Sequence, residues 1–153
     1  ASNYEIYKSQ VINIRQIEEV GMRKMGQLCG HISDYMNNKI RKISSDGIVS
    51  TLAGSGVAGD TDGSGSSASF HSPHGNTLDK NGNIYVTDWA GHRVRMVSPT
   101  GVVSTVAGSG KAGSEDGYSA GASFNNPWGV AVDDANGVYV ADQKSNKIRK
   151  ISQ

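Results

Sequence analysis

The chain has 153 residues, about one domain's length, and 15 Lys and Arg stand against 14 Asp and Glu for a net charge of +1. That balance excludes a nucleic-acid or membrane binder working through bulk positive charge, and no run of about 18 apolar residues offers a spanning helix. Glycine is abundant at 20 residues, with 3 Pro and 36% apolar residues, a profile of short strands and turns rather than of collagen or a Pro-rich linker.

In chain order, residues 1–27 come first and match nothing that follows. They read as the decayed start of a repeat or as sequence of another origin. They lack the apolar core of a signal peptide. Within them Val11–Ile17 alternates as a strand does, and Glu18–Leu28 could carry a degenerate strand. The chain opens on Ala1, which allows processing or excision from something longer. Cys29 is the single cysteine and cannot form an internal disulfide. The compartment therefore stays open, leaning to an extracellular setting.

Residues 28–152 are organised by a period of 54. Ser50-Thr-Leu-Ala-Gly-Ser-Gly56 recurs as Ser104-Thr-Val-Ala-Gly-Ser-Gly110, and Tyr85-Val-Thr-Asp88 as Tyr139-Val-Ala-Asp142. Phe70-x-x-Pro73-x-Gly75 recurs as Phe124-x-x-Pro127-x-Gly129. Residues 45–98 laid on 99–152 share 23 identities in 54 without a gap. Such self-similarity marks a repeat architecture. Each unit offers four short antiparallel strands, a to d. In the last unit these are Gly129–Asp133, Gly137–Asp142 and Lys147–Ser152, and Val102–Val106 is a strand d. The outer strands are amphipathic, and strand a is expected to be buried.

One such sheet cannot bury both faces, and radial repetition into a β-propeller answers that need. Pro127-Trp-Gly-Val-Ala-Val-Asp133, Gly137-Val-Tyr-Val-Ala-Asp142 and Asn146-Lys-Ile-Arg149 resemble the NHL repeat. So do Pro73-His-Gly75, Asn83-Ile-Tyr-Val-Thr-Asp88 and His92-Arg-Val-Arg95. The resemblance implies an all-β fold of NHL-type propeller blades. About three blades are present, an incomplete ring equal to half of a six-bladed one. Two readings follow: a half-propeller that closes by pairing with a second copy, Val11–Ile17 supplying the missing outer strand, or a piece of a longer propeller.

In a four-stranded meander the d-to-a and b-to-c connections share one end. That places His71, His74, Asn125, Asn126 and Trp128 with Tyr35, Trp89 and Gln143 on one loop face. The insertions 54–73 and 108–127 are expected there too. Aromatic residues at a polar rim suit recognition. The expected function is a non-catalytic binding or interaction module for a protein, peptide or glycan, with no cofactor. Two alternatives carry less: a metal-dependent enzyme with an axial site, and an RNA-binding propeller.

His74 resembles a zinc-ligand histidine of the peptide-amidating lyase family, but Trp128 stands at the matching repeat position and three converging ligands are not evident. Asp60 and Asp62, in Asp60-Thr-Asp62-Gly-Ser-Gly65, are weak calcium candidates lacking the closing Glu of an EF-hand. Asp79, Asp88, Asp133 and Asp142 end strands and are expected to accept backbone hydrogen bonds at turns. The glycine runs at 54–56 and 108–110 lack the Gly-Lys-Ser/Thr of a phosphate loop. The basic residues Lys39, Arg41, Arg93, Arg95, Lys147 and Arg149 alternate with Ile or Val and are expected at a solvated strand edge. With 8 basic against 10 acidic residues over 45–153, a nucleic-acid partner is disfavoured.

Overall fold

The computed structural model describes residues 30–152. The expectations placed on Val11–Ile17, Glu18–Leu28 and Cys29, and on residues 1–27 as a segment, lie outside the described residues. Eleven strands follow in order: β1 (Gly30–Asp34), β2 (Lys39–Ile43), β3 (Val49–Ala53), β4 (Gly63–Ser64), β5 (Pro73–Leu78), β6 (Ile84–Asp88), β7 (Arg93–Val97), β8 (Val102–Ala107), β9 (Pro127–Val132), β10 (Val138–Asp142) and β11 (Lys147–Ile151). Four single-turn 3-10 segments accompany them, and no α-helix occurs among the described residues. The sheets run β1-β2-β3, β4-β8-β7-β6-β5 and β11-β10-β9, with every recorded strand pairing antiparallel.

The described residues fall into two compact units, one containing residues 30–31 and 42–50 and the other residues 32–41 and 51–152. In the described part of the first, the turn Ser44–Ile48 closes on itself, with Ile48 N–H donating to the Ser44 hydroxyl oxygen Oγ at 3.1 Å and Gly47 N–H to the Ser44 carbonyl at 2.9 Å.

In the second unit the strand period of two is put to use on both faces of β6. Ile84 and Val86 point into one core with Ile40, Ala53, Phe70, Val97 and Val103. Tyr85 points the other way, into a second core with Val94, Phe124, Val138 and Val140. Strand b is therefore the buried one: all five residues of β6 are buried, whereas β5 is buried only at Pro73 and β9 only at Pro127. This corrects the expectation that strand a is buried. Strand a has one hydrogen-bonded neighbour and sits at the sheet's edge, while strand b has two and lies between the cores.

The a-to-b turns behave as expected. Asp79 Oδ1 accepts from the N–H of Asn81 and Asn83 at 2.8 and 2.9 Å, and Asp133 Oδ1 from Ala135 and Gly137 at 3.0 and 2.7 Å. The first insertion departs from expectation. Gly63–Ser64 pairs along the outer strand β8, and Gly65 N–H donates to the carbonyl of Gly101, in the c-to-d turn, at 2.9 Å. The segment thus covers the free edge of β8 and reaches the end opposite the loop face, because an uncovered edge leaves its backbone groups unpaired.

Candidate functional site

Strand a begins with a proline in both later repeats, Pro73 in β5 and Pro127 in β9. A proline at a strand's first residue gives up no ladder bond. Its neighbours His74 and Trp128 are presented at the head of the strand. The b-to-c connection follows a strand-ending Asp, which places Tyr35 after Asp34, Trp89 after Asp88 and Gln143 after Asp142.

These side chains meet. The His74 imidazole stacks on the Trp128 indole with centroids 3.6 Å apart and a 30° interplanar angle. Tyr35 lies against the other side of the cluster, 5.0 Å from His74, and Trp89 stands edge-on at 6.4 Å. Trp89 Nε1–H donates to Gln143 Oε1 at 3.1 Å, and the Lys144 ammonium sits 5.9 Å from the Trp89 ring centre. Trp128 remains 45% exposed. Burial holds the His74 imidazole below its ordinary value of 6.5, so it is neutral at pH 7.

A backbone clamp fixes the stack. Thr87, fully buried in β6, donates its hydroxyl to the Trp128 carbonyl at 2.7 Å and accepts the Gly75 N–H at 2.8 Å. A Cβ on Gly75 would lie 2.5 Å from that carbonyl, so only glycine allows β5 to come so close to β9.

The other predicted residues serve the frame. His71 and Asn125 occupy equivalent positions, and their N–H groups donate to Asp88 Oδ1 and Asp142 Oδ1, both at 2.7 Å. Asn126 is buried, with φ at +54°, and its Nδ2 donates to the Trp89 carbonyl at 3.2 Å. Its own N–H donates to His92 Nδ1 at 3.1 Å. His92 did not stand out in the sequence, although its place in the repeat, shared with Asn38 and Asn146, could have flagged it.

Arg95 and Arg149 overturn the solvated-edge reading at their two positions, while Lys147 is exposed and Lys39, Arg41 and Arg93 are partly exposed. Arg95 is fully buried, bonded to Asp88 at 3.1 Å, to Asp62 at 2.6 Å and to the Ser69 and Thr61 carbonyls, both at 3.1 Å, with its guanidinium 5.3 Å from the Phe70 ring centre. Arg149 repeats this with Asp142 at 3.2 Å, Asp116 at 2.5 Å, the Ser123 and Glu115 carbonyls and Phe124. A guanidinium can be buried where carboxylates and carbonyls meet the donors of its two Nη groups, as they do here, while Arg95 Nε is buried without a hydrogen-bond partner. These cations are not on offer to a phosphate backbone. The two calcium candidates are likewise engaged by guanidinium groups. Asp60 pairs with Arg93 at 2.6 Å, and Asp62 binds Arg95 and also accepts from Thr105 N–H and Oγ1–H at 3.0 and 3.1 Å. Asp88 does more than serve a turn: burial pushes its carboxyl up to about 6, opposed by the His71 N–H and by Arg95.

Comparison with known proteins agrees with the repeat and the fold. The NHL repeat family matches residues 70–95 and 124–151. The chain is 38% identical over 94 residues to Protein SUPPRESSOR OF QUENCHING 1, chloroplastic, of Arabidopsis thaliana, a match covering 61% of this chain and 9% of that protein. It is 37% identical over 76 residues to NHL repeat-containing protein 2 of Gallus gallus, covering 49% of this chain and 10% of that protein. The matches thus take in about a tenth of these relatives' length. Among solved structures, an auxiliary nutrient binding protein from Bacteroides ovatus superposes with a TM-score of 0.72 at 26% identity, over 80% of this chain and 34% of that one.

Proposed function

Starting from a chain that carries NHL repeats of the β-propeller type, we propose that it is a non-catalytic binding module whose loop face, built around His74, Trp89 and Trp128, holds a ligand through ring stacking. The observation that carries this reading is the His74–Trp128 stack. Two planar side chains from successive repeats are held face to face by a buried clamp, yet leave an indole almost half exposed. Rigid aromatic groups on a preorganised frame bind with little loss of side-chain freedom. The ligand is a protein, peptide or glycan presenting a flat ring, either an aromatic side chain or the apolar face of a sugar. Gln143 and Lys144 beside Trp89 supply polar contacts at the rim. A binding role is in keeping with the neighbour from Bacteroides ovatus, an auxiliary nutrient binding protein.

The test is a paired screen of the wild type and Trp128→Ala against immobilised oligosaccharides and peptides. A ligand retained by the wild type should lose at least ~10-fold in affinity in the variant, as expected for a central aromatic anchor. Ligands that bind both proteins equally would sink the assignment.

A further inference from the structure

Each strand a is entered through a residue with positive φ immediately before proline: Ser72 at +60° before Pro73, and Asn126 at +54° before Pro127. Neither residue is a glycine, so neither rests in this conformation without support. The support comes from the b-to-c turn of the preceding repeat. Asn38 Oδ1 accepts the Ser72 N–H at 2.8 Å, and His92 Nδ1 accepts the Asn126 N–H at 3.1 Å. The two acceptors share one backbone state, φ of +52° and +53°, as does Asn146 at +52° in the last repeat. One structural position thus carries a carboxamide twice and an imidazole once.

The chemistry of that exchange matters. A carboxamide oxygen accepts at any ordinary pH. An imidazole nitrogen accepts only while it is unprotonated. Because the partner is a backbone N–H, which can only donate, the neutral imidazole must carry its proton on Nε2. A second proton would go to Nδ1 and set two donors against each other, beside an Asn126 that is only 6% exposed.

We propose that His92 is a pH-operated latch on the loop face: neutral, it holds the Asn126–Trp128 segment, and protonated on Nδ1, it lets that segment go. The segment carries Trp128, so release loosens the stack on His74. The groups around His92 are Arg93, which follows it at the start of β7, His71 before β5, and Asp142 and Lys144 in the following repeat. Burial, Lys144, His71 and Arg93 all disfavour the imidazolium, and only Asp142 favours it, so the latch is closed at pH 7 and opens below the ordinary histidine value of 6.5. The consequence for ligand binding rests on the function proposed above; the latch itself does not.

The experiment is a pH series of amide spectra on the full chain, from about pH 8 to about pH 5, the range in which histidines titrate. The Asn126 amide should move along a single titration with its midpoint below 6.5. His92→Asn should abolish that movement, since Asn38 already performs the same role for Ser72. In the converse variant, Asn38→His, the Ser72 amide should acquire a titration that it lacks in the wild type; this keeps the test decisive if His92→Asn folds poorly. An Asn126 amide that is flat in the wild type, or still titrates in His92→Asn, would overturn the latch. If the amide titrates as stated while ligands found in the paired screen bind equally at both pH extremes, the latch stands and its coupling to ligand binding fails; if the amide titrates while no ligand distinguishes the wild type from Trp128→Ala, the latch stands and the binding reading fails.

Discussion

The second and third repeats are 54 residues apart and share their ion-pair plan, but they differ in how many sides they are supported from. β6 is buried on both faces, between two cores. β10, its equivalent, alternates, with Val138, Val140 and Asp142 buried and Tyr139 and Ala141 half exposed. Asp62 binds both Arg95 and Thr105 on the outer strand and is 48% exposed, whereas Asp116 binds Arg149 and is 92% exposed. Thr87 clamps β9, while the equivalent position is Ala141, which has no hydroxyl to give. The parts that hold a repeat together internally are thus copied, and the parts that join it to its neighbour are not. The aromatic stack belongs to the second kind.

Several substitutions would sharpen that contrast. The largest effect is expected from Arg95→Met, which leaves Asp88 buried without its cation. It should lose about 3–5 kcal/mol in denaturant unfolding, and Arg149→Met a comparable amount, since Asp142 is as buried as Asp88 and loses its cation in the same way. Next comes pH. The Asp88 carboxyl titrates near 6 when folded and near 3.8 when unfolded, so the native chain holds the extra proton between those values. Its contribution to stability is present below about 3.8 and lost as pH rises through 6, by on the order of 2–3 kcal/mol. Urea midpoints measured across that window should show this slope, and Asp88→Asn should remove it.

Gly75→Ala drives a Cβ into the Trp128 carbonyl and should destabilise by about 2 kcal/mol while altering tryptophan emission. Gly129→Ala meets only the Ala141 Cβ at 3.7 Å and should be tolerated. The smallest effect is that of Thr87→Val, about 1–2 kcal/mol from the lost clamp bonds to Trp128 and Gly75, in thermal unfolding.

Much of this was legible in the sequence because the repeat could be read against itself. The 54-residue offset marks strands b and c almost to the residue, and the shared end of the d-to-a and b-to-c connections in a meander brings His74, Trp89, Trp128 and Gln143 together from sequence alone. The burial of Arg95 was not legible. In the pattern Arg-Val-Arg the second arginine alternates with apolar neighbours as a solvated one would, and its carboxylate partners lie 7 and 33 residues away. The path of Gly63–Ser64 along β8 was hidden for the same reason, since glycine and serine carry no periodicity to betray an edge pairing. His92 required a third comparison, with Asn38 and Asn146, that a search for catalytic residues has no cause to make.

The central claim is that the stacked His74–Trp128 pair and its neighbour Trp89 form a ligand surface. The most direct test is to titrate ligands found in the oligosaccharide and peptide screen into the wild type, Trp128→Ala and Ile148→Ala, the last altering an exposed residue on β11. Affinity lost by at least ~10-fold in Trp128→Ala and unchanged in Ile148→Ala is the predicted result. Ligands that bind Trp128→Ala as tightly as the wild type, or a screen that yields no ligand at all, would contradict the account.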